Sequence, residues 1–423
     1  MLPIRRKVKR FKTQTVSLKQ PQIITELEKK FFDEDNNFID YFMEIGVEPS
    51  IFKDETIYDV ETAEALSKKL NPKIITKFPN FDKRNIVVEQ SMINQVFPKG
   101  FNAIKSDKKP KSQFYCVVLD NQLYSAVYTN KYLACLIVYE DLDSYKVLFD
   151  RYKLVSENTD FLIRNNSYSG RKTKVELSSD EEDHFYIPKC LTIVSVHPCI
   201  RQFEKILREL YCITLSNEYS SFFFENIIEK LIIKTPKIPR GYKNVILKFP
   251  NCEIDLTQTK MNEYPSINSN LSKIFTDLSL NNILEIYKYL LYETKLVFFS
   301  EDLYTLTNAI LSFVFLLSPF KYQFQIVSVL PNNLYKFMET ISPYIFGVNE
   351  KFTQNFMRDN DVVIEDTICL IDIDNNNYFI VAPGGEINQK DYPEIPKNLK
   401  DKLEVRINKY HQELKKNLNS AKK

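Results

Sequence analysis

The sequence predicts an α/β (α+β) fold made of two modules. The first has an antiparallel sheet with helices, and the central one has a mostly parallel sheet covered by helices. The chain has 423 residues, of which 44% are hydrophobic, which is enough for two or three domains with their own cores. Residues 38–155 alternate strand-like runs with turns, and residues 185–374 alternate apolar strands with amphipathic helices.

The strands of the first module are predicted from runs rich in β-branched and aromatic residues. The run that ends at Pro79 stops there because proline cannot donate to a ladder. The run at 113–129 is long enough to fold as a hairpin about "DNQ" at 120–122. A sheet of about five antiparallel strands with one or two helices is the expected result. The strand-like runs lie at 38–48, 73–79, 113–129 and 131–140.

The central module is predicted from apolar runs that alternate with helical periodicity. Strands with continuous apolar runs, separated by helices, are typical of a parallel sheet that is covered on both faces. Strands are expected at 186–198, 295–300, 323–331 and 368–374. Helices are expected at 199–213, 220–233, 279–293, 303–317 and 332–341.

Composition and charge exclude several classes of protein. The formal net charge of +2 is too close to neutral to make nucleic acid the expected partner. The seven cysteines are scattered and form no CxxC pair, so we expect reduced, mostly buried thiols. The start of the chain is basic and not apolar, and the most apolar runs are far shorter than a membrane span. We therefore expect a soluble, cytoplasmic protein.

Two segments differ from their surroundings. Residues 155–184 are polar and charged, and we expect them to link the modules. Residues 1–24 are expected to form a flexible arm. Either this arm is a solvated tail, or its basic side chains contact an anionic membrane and place the protein peripherally on endomembranes. The basic side chains are Arg5, Arg6, Lys7, Lys9, Arg10 and Lys12.

The sequence offers no phosphate-binding or catalytic motif. The strand at 295–300 leads into a helix, as in a nucleotide-binding unit, but none of the seven glycines lies in this turn. Ser300 or Asp302 is instead the expected N-cap of that helix. The three histidines match no nucleophile or metal motif, and His197 is expected to be structural. We therefore expect no cofactor, no small-molecule substrate and no catalytic side chain.

Paired carboxylates at the end of the strand at 368–374 raise one further possibility. Asp372 and Asp374 lie on one face of the strand end, where they could bind a metal ion. The interpretation that we favour is a set of polar residues at the edge of a sheet, followed by an asparagine-rich turn. We therefore expect no metal.

A family likeness lies in motifs that follow one another in a fixed order. Four of them resemble the central module of DENN domain proteins: "YIPKCLTIVSVHPCIRQFEKILRELY", "IFTDLSLNNILEIYKYLLYETKLVFFS", "ISPYIFGV" and "CLIDID". Upstream, "DYFMEIGVE", "PKIITKFP", "VFPKG" and "FYCVVL" resemble the upstream DENN module, whose fold is a longin-like sheet with helices. The likeness extends over roughly residues 38–385.

The resemblance implies a division of the chain into five parts. The family usually adds a helical downstream module, of which this sequence resembles only the start. The parts are a basic arm at 1–24, the upstream module at 25–154, a polar linker at 155–184, the central module at 185–385, and the helical start of a truncated downstream module at 386–423.

The resemblance also implies a function, since DENN proteins typically act as guanine nucleotide exchange factors for Rab GTPases. In the family the GTPase docks in a groove between the upstream and central modules, where its switch regions are remodelled. Helix capping competes with this role for Ser300 and Asp302, and simple packing competes with it for Thr307. The expected contact residues are Ser300, Asp302, Thr307, Asn308, Tyr41 and Glu44.

Two other functions stay open. A DENN-like fold can serve as a non-exchanging adaptor or heterodimer scaffold in membrane traffic, and the shortened downstream module favours this alternative. A GTPase-activating protein is the third hypothesis, and it would need an exposed arginine. The arginines available in or near the linker are Arg151, Arg164 and Arg171.

Overall fold

The structure is a computed structural model that describes ten parts of the chain. The basic arm, the "DNQ" turn, the three linker arginines and nearly all of the polar linker lie outside the described residues. The described parts are 37–53, 55–57, 59–80, 92–119, 131–142, 184–216, 221–236, 246–256, 271–383 and 393–421.

The first sheet has six antiparallel strands among the described residues. Its order is β2-β1-β6-β5-β4, and β3 pairs with β6 beyond the end of β1. The strands are β1 Tyr41–Gly46, β2 Lys73–Phe78, β3 Ile104–Ser106, β4 Gln113–Leu119, β5 Lys131–Asp141 and β6 His184–Ser195.

One expectation for this part of the chain is corrected. The strand predicted to open the central sheet, now β6, instead lies inside the first sheet between β1 and β5. It fits there because its two neighbours are antiparallel and it presents apolar side chains to both faces. Strand β4 pairs with β5, with Gln113 opposite Ile137 and Leu119 opposite Lys131. The turn and second half of the hairpin expected at 113–129 lie outside the described residues.

Short helices cover one face of the first sheet. Alternate side chains of the strands point to opposite faces, so Tyr41, Met43 and Ile45 share one face while Phe42 points to the other. The first face packs against two 3₁₀ turns and two helices. These elements are Pro49–Lys53, Glu55–Ile57, α1 Ala63–Lys69 and α2 Met92–Val96.

The other face of the first sheet packs against helices that follow it. Helix α3 (Ile200–Leu215) buries Phe203, Ile206 and Leu210 there, which confirms the apolar face predicted from their spacing. Helix α4 (Ser221–Glu229) continues as a π-helical turn to Lys234. A small hairpin of β7 (Ile246–Lys248) and β8 (Glu253–Asp255) comes next, and the sequence had not predicted it.

The second sheet has five described strands in the order β10-β11-β9-β12-β13. The first four are parallel and β13 is antiparallel to β12, which confirms the predicted mostly parallel sheet and the fold class. The strands are β9 Lys295–Phe299, β10 Gln325–Val327, β11 Tyr344–Val348, β12 Ile368–Asp372 and β13 Asn377–Val381.

Helices lie around this sheet largely where the sequence predicted them. The stretch expected as a helix at 332–341 is a 3₁₀ helix, Asn332–Glu339, and the strand expected at 323–331 is only three residues long. The α-helices are α5 Leu271–Asp277, α6 Leu280–Leu291, α7 Leu303–Leu316, α8 Phe356–Asp359 and α9 Lys397–Ala421.

The two sheets meet along strand β4, which is at one end of the first sheet among the described strands. Helix α7 and strand β10 pack beside β4, and one core cluster extends through both sheets. The backbone N–H of Val118 donates to Ser328 Oγ at 2.9 Å, in a buried position just after β10. Part of the open edge of β4 is therefore satisfied by the second sheet.

The described part of the chain contains no helix that combines the length and apolar character needed to cross a bilayer. Five of the seven cysteines are buried, as predicted, whereas Cys212 is exposed and Cys252 is half-buried.

Candidate functional site: the groove between the two sheets

The carboxyl ends of three parallel strands meet at one edge of the second sheet, which we call the carboxyl edge. Strand β9 lies in the middle, with Phe299 opposite both Val348 of β11 and Asp372 of β12. In an open α/β sheet the residues just beyond such strand ends form the usual binding crevice. The residues that follow here are Ser300, Asn349 and Asp374, together with their neighbours.

The carboxylate of Asp374 binds two groups at the end of β9. Ser300 Oγ donates to Asp374 Oδ1 at 2.7 Å, and the backbone N–H of Glu301 donates to Asp374 Oδ2 at 2.9 Å. Ser300 is fully buried. A charge-assisted bond of this kind is shorter and stronger than a neutral one, so it fixes the turn that follows β9.

A third strand end joins this network through Asn349, which is 5% exposed. Its Nδ2 donates to the carbonyl oxygens of Ser300 and Glu301, each at 2.9 Å. The ends of β9, β11 and β12 are thus tied together by side chains. The arrangement satisfies buried backbone groups, and it leaves these polar atoms little capacity for chemistry.

Asp302, one of the two residues expected as the N-cap, begins helix α7. Its Oδ2 accepts from the backbone N–H of Thr305 at 2.9 Å and from Thr305 Oγ1 at 2.5 Å. The residue is nevertheless exposed, as is Glu301 beside it. These two acidic side chains mark the accessible part of the carboxyl edge.

A groove opens beside Glu301, between the carboxyl edge and the first sheet. Its floor is formed by strands of the first sheet, one wall by the segment after α2, and the other wall by the carboxyl edge. Burial raises the pKa of Tyr139 in the floor, so its phenol stays protonated well beyond neutral pH. The lining residues are Val96, Phe97, Pro98, Lys99, Gly100, Asn102, Ile104, Gln113, Ile137, Tyr139, Pro188, Glu301, Leu303 and Asn349.

The groove has an apolar floor and charged rims. Phe97 packs edge-on against Phe101 at 5.1 Å between ring centroids, which holds the first wall in place. Lys99 and Glu301 are exposed on opposite walls. Gly100 has a φ of 84°, a conformation that favours glycine, so the turn in this wall needs that residue.

The other predicted contact residues on α7 are buried. Thr307 is 1% exposed and its hydroxyl donates to the carbonyl oxygen of Leu303 at 2.9 Å. Asn308 is 5% exposed and faces a small gap lined by residues of β4 and α3, such as Phe114 and Arg201. Both lie on the side of α7 that packs against the first sheet, so a direct contact with a partner stays a prediction.

The two predicted residues on β1 lie outside the groove. Tyr41 is fully buried in the core beneath α1 and α2, with Lys77 Nζ 5.7 Å from its ring centroid. Glu44 is half-buried and forms an ion pair with Lys189 at 3.6 Å. The structure therefore does not bring Tyr41 and Glu44 together with Ser300 and Asp302, and their contact with a partner is also untested.

The carboxylates considered for a metal are used in hydrogen bonds. Asp372 accepts from the backbone N–H of Asn375 at 3.2 Å and from its side chain at 2.8 Å, while Asp374 binds Ser300. Among the described residues no three histidine, cysteine or acidic side chains are grouped so that they could hold a metal ion. This arrangement fits the structural interpretation of both residues.

Several groove residues were missed from the sequence. Phe97, Lys99 and Gly100 belong to the quoted "VFPKG" motif, but nothing local in that motif indicated a position opposite Glu301. Asn349 follows a strand that we did not predict separately. A strand prediction for "YIFGV" would have placed Asn349 at the carboxyl edge, so in this case the signal was present.

Comparison with known proteins agrees with the motifs. The family model described as "DENN (AEX-3) domain" matches residues 186–376. Myotubularin-related protein 5 of Caenorhabditis elegans is 27% identical over 236 residues, which cover 54% of this chain and 12% of that protein. DENN domain-containing protein 1B of Mus musculus is 27% identical over 188 residues, covering 44% of this chain and 23% of that protein.

A DENN domain-containing protein of Schizosaccharomyces pombe is 24% identical over 237 residues, covering 52% of this chain and 23% of that protein. The matches thus span less than a quarter of the length of each of these relatives.

Proposed function

We propose that this chain, in which residues 186–376 form a DENN domain, is a guanine nucleotide exchange factor for a Rab-family GTPase. The DENN family generally acts in this way on Rab GTPases. The observation that carries the proposal is the groove between the two sheets. The resemblance implies that the GTPase docks between the upstream and central modules, and this groove between the two sheets joins an apolar floor to charged rims.

An exchange factor of this kind works by differential binding. It must bind the nucleotide-free or distorted GTPase more tightly than the GDP-bound form, and it accelerates release only by that difference. The binding surface must therefore be rigid, because a wall that adapted to its partner would bind both forms of the GTPase with equal affinity. The hydrogen bonds among Ser300, Asn349 and Asp374 would provide this rigidity at the carboxyl edge.

The proposal divides the predicted contact residues at the carboxyl edge and on α7 into two groups. Asp302 and its neighbour Glu301 are exposed and can touch the switch regions directly. Ser300, Thr307 and Asn308 are buried and would act by holding the strand end and α7 in position. Lys99, on the opposite wall, is the matching basic contact.

The first experiment follows release of fluorescent GDP from a panel of Rab GTPases with and without the protein. Faster release from one or a few GTPases is the expected result, and it identifies the substrate. Binding without faster release would overturn the exchange proposal and favour a scaffold. Faster hydrolysis of GTP would instead favour a GTPase-activating protein, with Arg151, Arg164 and Arg171 as the residues to replace.

A charge reversal in the groove then tests the site. Glu301→Lys places a second positive charge opposite Lys99 and should lower the exchange rate constant about tenfold, which corresponds to about 1.4 kcal/mol of transition-state binding. Glu365→Lys is the matched control, because Glu365 is also exposed but lies at the opposite edge of the same sheet. Equal rates for the two variants would show that the GTPase binds elsewhere.

A further inference from the structure

A basic segment lies beside the groove, at the connection between β3 and β4. We call residues 105–112 the basic loop. Ile104 and Gln113, which flank the loop on its two sides, both line the groove. Asp107 is the single acidic residue of the loop, and its four lysines are all exposed: Lys105, Lys108, Lys109 and Lys111.

Contacts with helix α3 hold the basic loop in place. Lys109 Nζ donates to the hydroxyl of Tyr211 at 3.1 Å and lies 5.8 Å from the centroid of its ring. The guanidinium of Arg208 donates to Ser112 Oγ at 3.1 Å. The loop and the side of α3 that carries Arg208 and Tyr211 therefore form one continuous surface, which we call the basic surface.

The same side of α3 ends in an exposed leucine. Arg208, Tyr211 and Leu215 follow one another at intervals of three and four residues, so they lie on one side of the helix. Leu215 occupies the last position of α3 and is 60% exposed. The basic surface thus has a large apolar side chain next to its positive charges.

Positive charge dominates the basic surface. Glu204 pairs with Arg208 at 2.9 Å, and the carboxylate of Asp107 lies 3.8 Å from Lys108 Nζ. These two carboxylates face five basic side chains, which leaves a net charge of +3, more than the +2 of the whole chain. The basic side chains are Lys105, Lys108, Lys109, Lys111 and Arg208.

The chemistry of this surface fits an anionic membrane. Lysine side chains are flexible point charges, which suit attraction by many negative headgroups better than recognition of one carboxylate or phosphate. An exposed leucine beside such charges can enter the apolar boundary of a bilayer. Nucleic acid fits less well, because Lys109 Nζ lies over the ring of Tyr211, where a base would stack.

We propose that the basic surface binds an anionic membrane. The lysines of the loop contact the headgroups, and Leu215 enters the bilayer boundary. Because Ile104 and Gln113 on the two sides of the loop line the groove, this binding keeps the groove close to the membrane. The contact uses residues other than those of the basic arm at 1–24, and it is independent of the exchange activity because it involves lipid alone.

Sedimentation of the full-length chain with vesicles tests the proposal. The vesicles contain phosphatidylcholine alone or with about 30% phosphatidylserine, and binding is expected only to the second kind, with an affinity that falls as the salt concentration rises. The pair Lys108→Glu and Lys111→Glu should lower the partition coefficient at least about tenfold. Leu215→Ser should lower it severalfold, because it removes the apolar contact and leaves the charge unchanged.

The pair Lys321→Glu and Lys336→Glu is the matched control, because both lysines are exposed at the edge of the second sheet opposite the groove and the change in net charge is identical. It should leave most of the binding intact. Equal losses for the two pairs would overturn the proposal, since net charge alone would then explain the binding.

A variant of the basic arm separates the two possible membrane contacts. Its six basic residues are replaced by alanine. Vesicle binding that persists in this variant, and is then lost on adding Lys108→Glu and Lys111→Glu, is the expected result. Binding that is lost with the arm and is unaffected by the lysine pair would overturn the proposal, because the arm would then be the membrane contact.

Discussion

The two edges of the second sheet differ in how their polar and apolar groups are used. At the carboxyl edge, side chains from three strand ends bind one another, and Ser300, Asn349 and Asp374 leave few free polar atoms. At the amino edge, where the four parallel strands begin, apolar side chains such as Ile341 lie in solvent. Both edges are made of loops between the same strands, so strand packing alone does not account for the difference.

The comparison indicates what each edge is suited to. Bonds from Asp374 and Asn349 satisfy the buried polar groups of the carboxyl edge, whereas the exposed apolar groups of the amino edge are available to a partner. We therefore expect changes at the carboxyl edge to affect stability, and changes at the amino edge to affect association. Three predictions compare the contributions of the two edges to stability, beginning with the largest effect.

The largest effect is expected at Gly347, near the carboxyl end of β11. A Cβ there would lie 2.2 Å from the carbonyl oxygen of Ser328, so the backbone must move. Ser328 also accepts from Val118 of the first sheet, and the contact between the sheets would loosen with it. Gly347→Ala should lower the free energy of unfolding by about 3 kcal/mol, measured by urea denaturation.

Gly46→Ala provides the control for this prediction. A Cβ at Gly46 would meet the end of the flexible Ile75 side chain at 3.2 Å. Gly46→Ala should therefore lower the free energy of unfolding much less than Gly347→Ala does. Equal losses for the two glycines would contradict the assignment of Gly347 as the residue that sets the fit between the sheets.

A smaller effect is expected when the carboxyl-edge network is opened. Asp374→Ala removes the acceptor of Ser300 Oγ and of the Glu301 backbone N–H, and leaves the buried hydroxyl without this partner. A loss of about 2 kcal/mol in unfolding free energy should result, and the same urea measurement would detect it. Asp359→Ala, an exposed carboxylate on α8, should change stability by less than about 0.5 kcal/mol.

The smallest effect concerns pH at the amino edge. Burial first, and then the nearby Tyr322 and Asp366, raise the pKa of Tyr344, whose hydroxyl donates to the carbonyl oxygen of Met338 at 2.9 Å. The unfolded chain loses this proton near pH 10 while the folded chain keeps it, so stability falls as pH rises above about 10.

Tyr344→Phe removes this contribution to the pH dependence. Between pH 10 and 11 its free energy of unfolding should fall less steeply than that of the unmodified chain, by up to about 1.4 kcal/mol per pH unit. Denaturation curves at several pH values would measure the slopes. Parallel slopes would mean that Tyr344 ionises equally in both states.

Long periodic stretches were predictable from the sequence, and sheet membership was not. The spacing of Phe203, Ile206 and Leu210 predicted α3, and the apolar run at Lys295–Phe299 predicted β9. The run that became β6 has the same local character, yet it pairs with β1 and β5 of the other sheet. An apolar strand can fill any buried position, so its partners depend on contacts that are distant in sequence.

The candidate site shows the same division. Local helix chemistry restricted the N-cap of α7 to Ser300 or Asp302, and in the structure the N-cap is Asp302. The position of Lys99 opposite Glu301 depends on how the two sheets meet, which no local pattern records. Burial of Thr307 and Asn308 likewise follows from the contact of α7 with β4, a contact between residues far apart in the chain.

The contact between Val118 and Ser328 also affects the tendency of the protein to aggregate. A free sheet edge is a template on which a strand from another molecule can grow, and chains that expose one tend to aggregate. Among the described strands, the first sheet ends at two edges, β4 and β2. At β4 the hydroxyl of Ser328 accepts from the backbone N–H of Val118, a donor that a strand from another molecule would need. At the other edge, β2 carries Lys73 and Lys77, whose charges repel an identical strand. Ser328→Ala is therefore expected to increase aggregation, which would be detected as turbidity of a concentrated solution.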